Sequence, residues 1–237
     1  MPPPYERAAV CDTALLVAAK APEPSRAKTR LTPPATAGQA ADIAAASLLD
    51  TLRAAGSVAG AVPVVALTGT LATARRREEL LVELRNMTVV QQRGDGLAER
   101  LVAAHADTGA ALPGRPVLQI GMDTPQVTGD LLAGCAQRLH GRSAPDALLG
   151  PAGDGGWWAL GLRDPRHAAL LRSVPMSSPD TGELSARALR SAGLRVELLC
   201  ELSDVDTMAD AVQVAQQLPG SEFAAAVAAV ASPSVAL

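Results

Sequence analysis

The chain has 237 residues, 48% of them apolar but only 2% aromatic, and 21 Lys and Arg against 24 Asp and Glu leave a net charge of −3. That length is ample for a sizeable core of small aliphatic side chains, and the lack of a basic face argues against nucleic acid, whose phosphate backbone needs clustered cations. Cys11, Cys135 and Cys200 are far apart with no CxxC or Cys/His spacing, so neither a disulfide framework nor a zinc site is indicated.

In chain order, the opening MPPPYERAAV lacks the charged and then apolar pattern of a signal peptide, so a cytoplasmic protein is expected. TALLVAA (Thr13 to Ala19) reads as a buried strand, and Ala35 to Gly56 as a long Ala-rich helix stopped by glycine. VPVVALT (Val62 to Thr68) is a second strand, Leu71 to Arg85 a second helix, and MTVVQQ (Met87 to Gln92) a third strand before a helix near Leu97 to Asp107. RPVLQIGMD (Arg115 to Asp123) is a fourth strand, followed by a helix from Thr128 to His140. DALLGP and WWALGL are two more, joined by the turn Asp154-Gly155-Gly156. With no room for a crossover helix they should pair antiparallel. A helix over Thr181 to Ser191, a strand RVELLCE (Arg195 to Glu201) and a helix from about Thr207 to Leu218 complete the alternation. Residues from about 219 to 237 are a C-terminal helix or tail. Their apolar run, Phe223 to Ala231, is well short of the roughly 20 residues of a membrane span. The pattern predicts one α/β domain over 1–237: three layers, a mostly parallel but mixed sheet with helices on both faces.

In such a sheet ligands bind beyond the carboxyl ends of the strands. After the first strand, AAKAPEPSRAKTRLTPP carries Lys20, Arg26, Lys28 and Arg30, cations and loop amides suited to phosphate. After the fourth, IGMDTP puts Asp123 at the strand tip, and after the last, LSDVDTMAD sets Asp204 and Asp206 either side of a valine. Some of these acids are helix caps, since Thr207 and Asp210 have capping-box spacing. Two strand-end carboxylates facing a basic loop would hold Mg²⁺ against a polyphosphate. Gly155 and Gly156 would let the backbone approach a ligand closely, Asp154 offers a third carboxylate, and Trp157 or Trp158 a stacking face. Adjacent strand residues face opposite ways, so one tryptophan should be core. The Gly94-Asp95-Gly96 turn puts Gln91, Gln92 and the amides near Leu97 at the same edge, where they could read a base; an ordinary turn with Glu99 and Arg100 paired in solvent is the plain alternative. No Ser-His-Asp or Cys-His arrangement, GxGxxG or GxxxxGK[ST] motif is present, and His105, His140 and His167 lie in helical settings.

Five segments in this order, KAPEPSRAKTRL, RGDGLAERL, IGMDTP, LGPAGDGGWWALGL and SDVDTMAD, resemble the bacterial DUF2064 family of the glycosyltransferase-A superfamily. More distantly they look like phospholactate guanylyltransferase and the molybdopterin nucleotidyltransferases. The resemblance implies a nucleotide-diphospho-sugar transferase fold, with a nucleotide and a divalent metal, Mg²⁺ or Mn²⁺, over the first half of the sheet. It also implies that Lys20, Lys28 and Arg30 contact phosphates, that Asp123 and Asp206 hold the metal, and that Asp154-Gly155-Gly156, with Trp157, faces the second substrate. Gln91, Gly96 and Leu97 belong to the nucleotide side of this reading. Ser25, Ala98 and Met122 depart from it: the family usually has Gly, Gly and Ser there. MSSPD (Met176 to Asp180) replaces the commoner Trp-Ser-Thr start.

The leading expectation is metal-dependent nucleotidyl transfer from an NTP to a small phosphorylated acceptor, with Lys28 and Arg30 steadying the charge. The alternative is glycosyl transfer from a nucleotide sugar, with Asp154 as the base for an acceptor hydroxyl. A third reading is a non-catalytic nucleotide-binding protein. The partners expected are a nucleotide, either NTP or nucleotide sugar, and a small-molecule acceptor. No nucleic acid or membrane is expected, and a homodimer is left open.

Overall fold

In the computed structural model, which describes residues 12–231, the aliphatic runs form seven strands. They are β1 (Ala14–Lys20), β2 (Val62–Thr68), β3 (Thr88–Gln91), β4 (Val117–Gly121), β5 (Ala147–Pro151), β6 (Trp157–Leu162) and β7 (Val196–Leu198). The helices are α1 (Ala37–Gly56), α2 (Arg77–Leu84), α3 (Leu97–Ala111), α4 (Gly129–Gln137), α5 (Thr181–Ser191), α6 (Met208–Gln217) and α7 (Glu222–Ala231).

One sheet orders the strands β3-β2-β1-β4-β6-β5-β7. The ladders β1–β2, β2–β3, β1–β4 and β5–β7 are parallel, whereas β6 runs antiparallel to both β4 and β5. The mixed, mostly parallel sheet and the antiparallel DALLGP/WWALGL pair are therefore as expected. Because β6 alone is reversed, its first residue, Trp157, lies at the same sheet edge as the last residues of β1, β4 and β5. That edge collects Lys20, Gly121, Pro151 and Trp157, so the loops carrying chemistry all open on one side.

Each face of the sheet has its own core. On one, α1 and α4 pack Leu48, Leu49, Leu52 and Leu132 against Leu15, Leu118 and Ile120. On the other, Leu101 and Val102 of α3 meet Leu149, Leu160 and Leu162. α1 opens on a capping box in which Thr36 and Gln39 bond each other's backbone amides, fixing the helix start just after the basic loop. α7 is a docked helix: Phe223 is fully buried between α1 and α6, and its amide donates to Asp50 Oδ2 at 3.0 Å. Residues 232–237 of the predicted tail lie outside the described residues.

Three elements differ from the sequence reading. The helix expected over Leu71 to Arg85 is instead a 3-10 turn at Leu71–Thr73 followed by α2. Thr70 N and Thr73 Oγ1 donate to the carboxylate of Glu23, which pulls this stretch onto the basic loop and off a helical path. β7 spans only Val196–Leu198, because further on the carbonyl of Cys200 is taken by the Trp158 indole N–H at 2.9 Å. A nine-residue 3-10 helix at Pro165–Ser173, absent from the sequence reading, buries Ala168 and Leu171 in the α3-side core. Among the described residues no helix is long and apolar enough to cross a membrane.

Candidate active site

The basic loop after β1 is fastened from below. Glu23 is buried at 7% exposure and accepts from Thr70 N (3.0 Å) and Thr73 Oγ1 (3.1 Å), and these bonds hold its carboxyl below the usual range. The loop then makes two left-handed turns at non-glycine residues, Ser25 (φ 63°) and Lys28 (φ 46°). Such a conformation costs an L-residue roughly 1–2 kcal/mol and is kept where the surroundings enforce it. The turn at Ser25 accounts for the glycine usual there in the family it resembles.

That backbone sends the Lys28 side chain inward. Only 11% exposed, its ammonium lies 3.1 Å from Asp123 Oδ1 and 3.5 Å from Asp206 Oδ1, and it donates to the carbonyl of Val205. Arg30 Nη1 reaches the other oxygen, Asp206 Oδ2, at 3.0 Å. The two strand-end acids thus meet, as the sequence suggested, and a cation already stands between them.

They meet because of alternation in the segment Asp204-Val205-Asp206. Val205 is 1% exposed and turned into the α6–α7 core, so its two neighbours face the cleft. The Val205 amide donates to the Asp123 carbonyl at 3.0 Å, locking the segment to the end of β4. Asp204, passed over in favour of Asp206 by the sequence reading, is the most perturbed acid here. Burial first, then the neighbouring carboxylates of Asp154 and Asp123, push it up to about 7, against the pull of Lys28. Lys28 and Arg30 both bond Asp206, and Lys28 also bonds Asp123, so the cations gather on one side of these acids while Asp154 and Asp204 stand together on the other.

Two chambers adjoin at Asp123 and Asp206. The first, about 370 Å³, is lined by Lys20, Arg26, Lys28, Arg30, Gln92 and Arg100. The second, about 290 Å³, is lined by Gln119, Asp154, Trp157, Met176, Ser178 and Asp204, among others. Asp123, Asp206, Met122 and Leu97 border both. One chamber is cationic and the other acidic and aromatic.

Several proposed positions sit differently from what the sequence suggested. Gln91 is exposed and outside both linings; Gln92 takes its place, its amide held by the carbonyls of Ala19 and Ala66 at 3.0 and 2.8 Å. Gly96 caps α3 with φ 87° and lines neither chamber, whereas Leu97 lines both. Arg100 does not pair with Glu99, which bonds Arg172 instead, so Arg100 is left to the cationic chamber. Gly155 is a packing glycine: with φ 86°, a Cβ there would run into the Pro179 carbonyl, and its own carbonyl accepts from Gly182 N at 2.8 Å. Gly156 borders the second chamber but has Asp154 Oδ1 over it, bonded to its amide at 2.8 Å. The turn is glycine-rich to seat the loop before α5 as well as to border the cleft.

The tryptophans divide as expected. Trp158 is 1% exposed in the α1-side core, with its indole N–H on Cys200 O. Trp157 packs on the α5 side, donates to Ser185 Oγ at 3.2 Å, and walls the second chamber. Trp158 also reaches that chamber's lining. The sequence reading missed Gln119, whose only signal was a polar residue in the middle of an aliphatic strand.

Among the described residues no three His, Cys, Asp or Glu side chains converge as ready metal ligands. The pair Asp123/Asp206 nevertheless fits a hard divalent cation. Two carboxylate oxygens already converge on one ammonium, the donors are oxygen only, and Mg²⁺ or Mn²⁺ ordinarily completes its shell from water and substrate phosphates.

With this geometry in hand, comparison gives relatives. The model of a family described as "Uncharacterized protein conserved in bacteria (DUF2064)" matches residues 51–178. Among curated proteins none matches the sequence. A structure from Desulfovibrio desulfuricans G20, described as a candidate nucleotide-diphospho-sugar transferase, is similar at TM-score 0.78 and 25% identity, covering 92% of this chain and 94% of that one. CMP:2-keto-3-deoxy-manno-octonic acid synthetase complexed with CTP is similar at TM-score 0.52 and 16% identity, over 87% of this chain and all (100%) of the other. Glucosyl-3-phosphoglycerate synthase from Mycobacterium tuberculosis, with Mn²⁺, UDP and glucosyl-3-phosphoglycerate, is similar at TM-score 0.50 and 12% identity, over 81% and 71%. At those identities the last two speak for the fold, which nucleotidyl and glycosyl transferases share.

Proposed function

The chain belongs to the DUF2064 family, and from that premise and the two-chambered cleft we propose that it is a metal-dependent nucleotidyltransferase acting on a small phosphorylated acceptor. The observation that carries this reading is the asymmetry about Asp123 and Asp206: a chamber lined by five cations on one side, an acidic and aromatic one on the other. A triphosphate and its departing pyrophosphate hold more charge than a nucleotide diphosphate sugar, and a five-cation wall suits the larger charge.

In this reading Lys20, Lys28 and Arg30 bind the phosphates, while Gln92 and the amides at Leu97 face the base. Asp123 and Asp206 would hold the divalent cation, which when bound supplies charge neutralisation to phosphate oxygens. Lys28 and Arg30 then give up their bonds to the acids and turn to the triphosphate. A phosphate oxygen of the acceptor, held in the second chamber against Trp157, forms the new bond to the α-phosphorus. The α–β bridging P–O bond breaks, and pyrophosphate leaves with the electron pair beside the basic loop. An ionised phosphate nucleophile needs no general base.

Glycosyl transfer stays the second reading because Asp154 borders the acceptor chamber, where a hydroxyl acceptor would need a base. The D. desulfuricans relative's description also leans that way. The test is turnover: NTP and Mg²⁺ with phosphorylated acceptors should release pyrophosphate. Release of a nucleoside diphosphate from a nucleotide sugar, with none from NTPs, would replace the proposal by the second reading.

A further inference from the structure

β4 carries a residue that a core strand does not require. Leu118 and Ile120 are fully buried apolar side chains, and between them Gln119 is only 2% exposed. It lies in register between Leu16 of β1 and Leu160 of β6. Burying an amide among aliphatic neighbours is costly unless both its ends are served.

One end is served. Gln119 Oε1 lies 3.1 Å from His105 Nε2 on α3, itself fully buried. Burial lowers the imidazole to about 4, so the ring is neutral and owns a single N–H. An amide oxygen only accepts, so that proton sits on Nε2. His105 Nδ1 is left without a partner inside the protein. The ring is spent on holding the amide in one orientation.

With the oxygen tied to His105, the NH₂ end is the one left to face the second chamber, which Gln119 lines with Trp157, Asp154 and Ser178. Among the described residues it donates to nothing. Resting on the acceptor-chamber reading above, we infer that Gln119 is a specificity-determining residue, its amide N–H donating to an oxygen of the phosphorylated acceptor, with His105 as the positioning residue that fixes the amide. A hydrogen-bonding floor of this kind discriminates strongly, because an acceptor lacking the matching oxygen leaves a buried donor unpaired.

The experiment uses the full chain and its two tryptophans, both of which border this chamber. Intrinsic fluorescence is titrated with glycerol 3-phosphate, glucose 1-phosphate and 3-phosphoglycerate, and separately with Mg²⁺ and each NTP. The proteins are wild type, Gln119→Met, His105→Leu and the double variant, and their thermal midpoints are recorded. Expected are a wild type that binds at least one phosphorylated probe, and an affinity about 10–100-fold weaker in Gln119→Met. His105→Leu should lose less, Mg²⁺–NTP affinity should not change, and the double variant should melt no lower than wild type. A double variant that melts well below wild type with probe affinity unchanged overturns the inference, since Gln119 would then serve the core alone. So does a wild type that binds none of the probes, or a variant that loses nucleotide and probe in equal measure. The nucleotidyltransferase reading is judged separately, by whether the wild type binds any NTP with Mg²⁺.

Discussion

The two chambers differ in how they are built. The cationic one draws four of its five cations, Lys20, Arg26, Lys28 and Arg30, from a single stretch of eleven residues, and the fifth, Arg100, from α3. The second chamber takes Gln119 from β4, Asp154 from the glycine turn, Trp157 from β6, Met176 to Ser178 from the loop before α5, and Asp204 from beyond β7. Charge can be concentrated by a short loop, whereas a shaped pocket must be assembled by the whole sheet. On the proposed function, phosphate binding therefore rests mostly on one loop and acceptor choice on residues scattered through the chain.

The largest effect expected is at the seam. Asp123→Ala should lower turnover by on the order of 10³-fold, the upper end for losing a group that organises developing charge, with the circular dichroism spectrum unchanged. Full activity with Mg²⁺ would break the assignment of the seam to the metal.

Next is the adjacent pair that separates core from chamber. Trp158→Ala, which empties a fully buried indole, should cost about 3–5 kcal/mol by denaturant unfolding. Trp157→Ala should cost far less stability and instead raise the acceptor KM by about tenfold, an effect of the size of losing one stacking face. Equal loss of stability in both variants would show that the acceptor wall is merely core.

His105 gives a pH dependence of stability with a definite sign. Its folded value, near 4, lies below the ordinary 6.5 because of burial, so the unfolded chain takes up the proton first. Its contribution is present above about pH 6.5 and is lost as pH falls toward 4, about 3 kcal/mol in all. Between pH 7 and 4 the wild type should lose about 3 kcal/mol of unfolding free energy relative to His105→Leu, which has no imidazole to protonate. Parallel curves would refute the assignment.

Smaller, but aimed at the contrast itself, is Lys28→Met. Losing a charge-assisted contact to phosphate should weaken NTP binding by about 10–100-fold. Clearing an ammonium from between Asp123 and Asp206 should tighten binding of Mn²⁺ alone. A variant that weakens both would place Lys28 among the supports of the metal and not in competition with it.

The sheet was readable because aliphatic runs of strand length alternate with amphipathic helices, and the reversal of β6 followed from a connection too short for a crossover. The basic loop and Asp123 were readable because sequence neighbours make them. Asp204 could have been read from its period of two with Asp206 around a buried valine, and Gln119 from its polarity inside VLQIG. The role of Gly155 could not, since the Pro179 carbonyl it makes room for belongs to a loop the turn meets only after folding. The break before α2 was hidden likewise: Thr70 and Thr73 look helical until Glu23, far back in the chain, claims them.

The most direct test of the central claim is calorimetric titration with each NTP and a matched set of nucleotide sugars, with and without Mg²⁺ or Mn²⁺. The account predicts metal-dependent binding of an NTP, tighter than that of the corresponding nucleotide sugar and abolished by Asp123→Ala. Binding that prefers a nucleotide sugar, or that is indifferent to the metal, would contradict it.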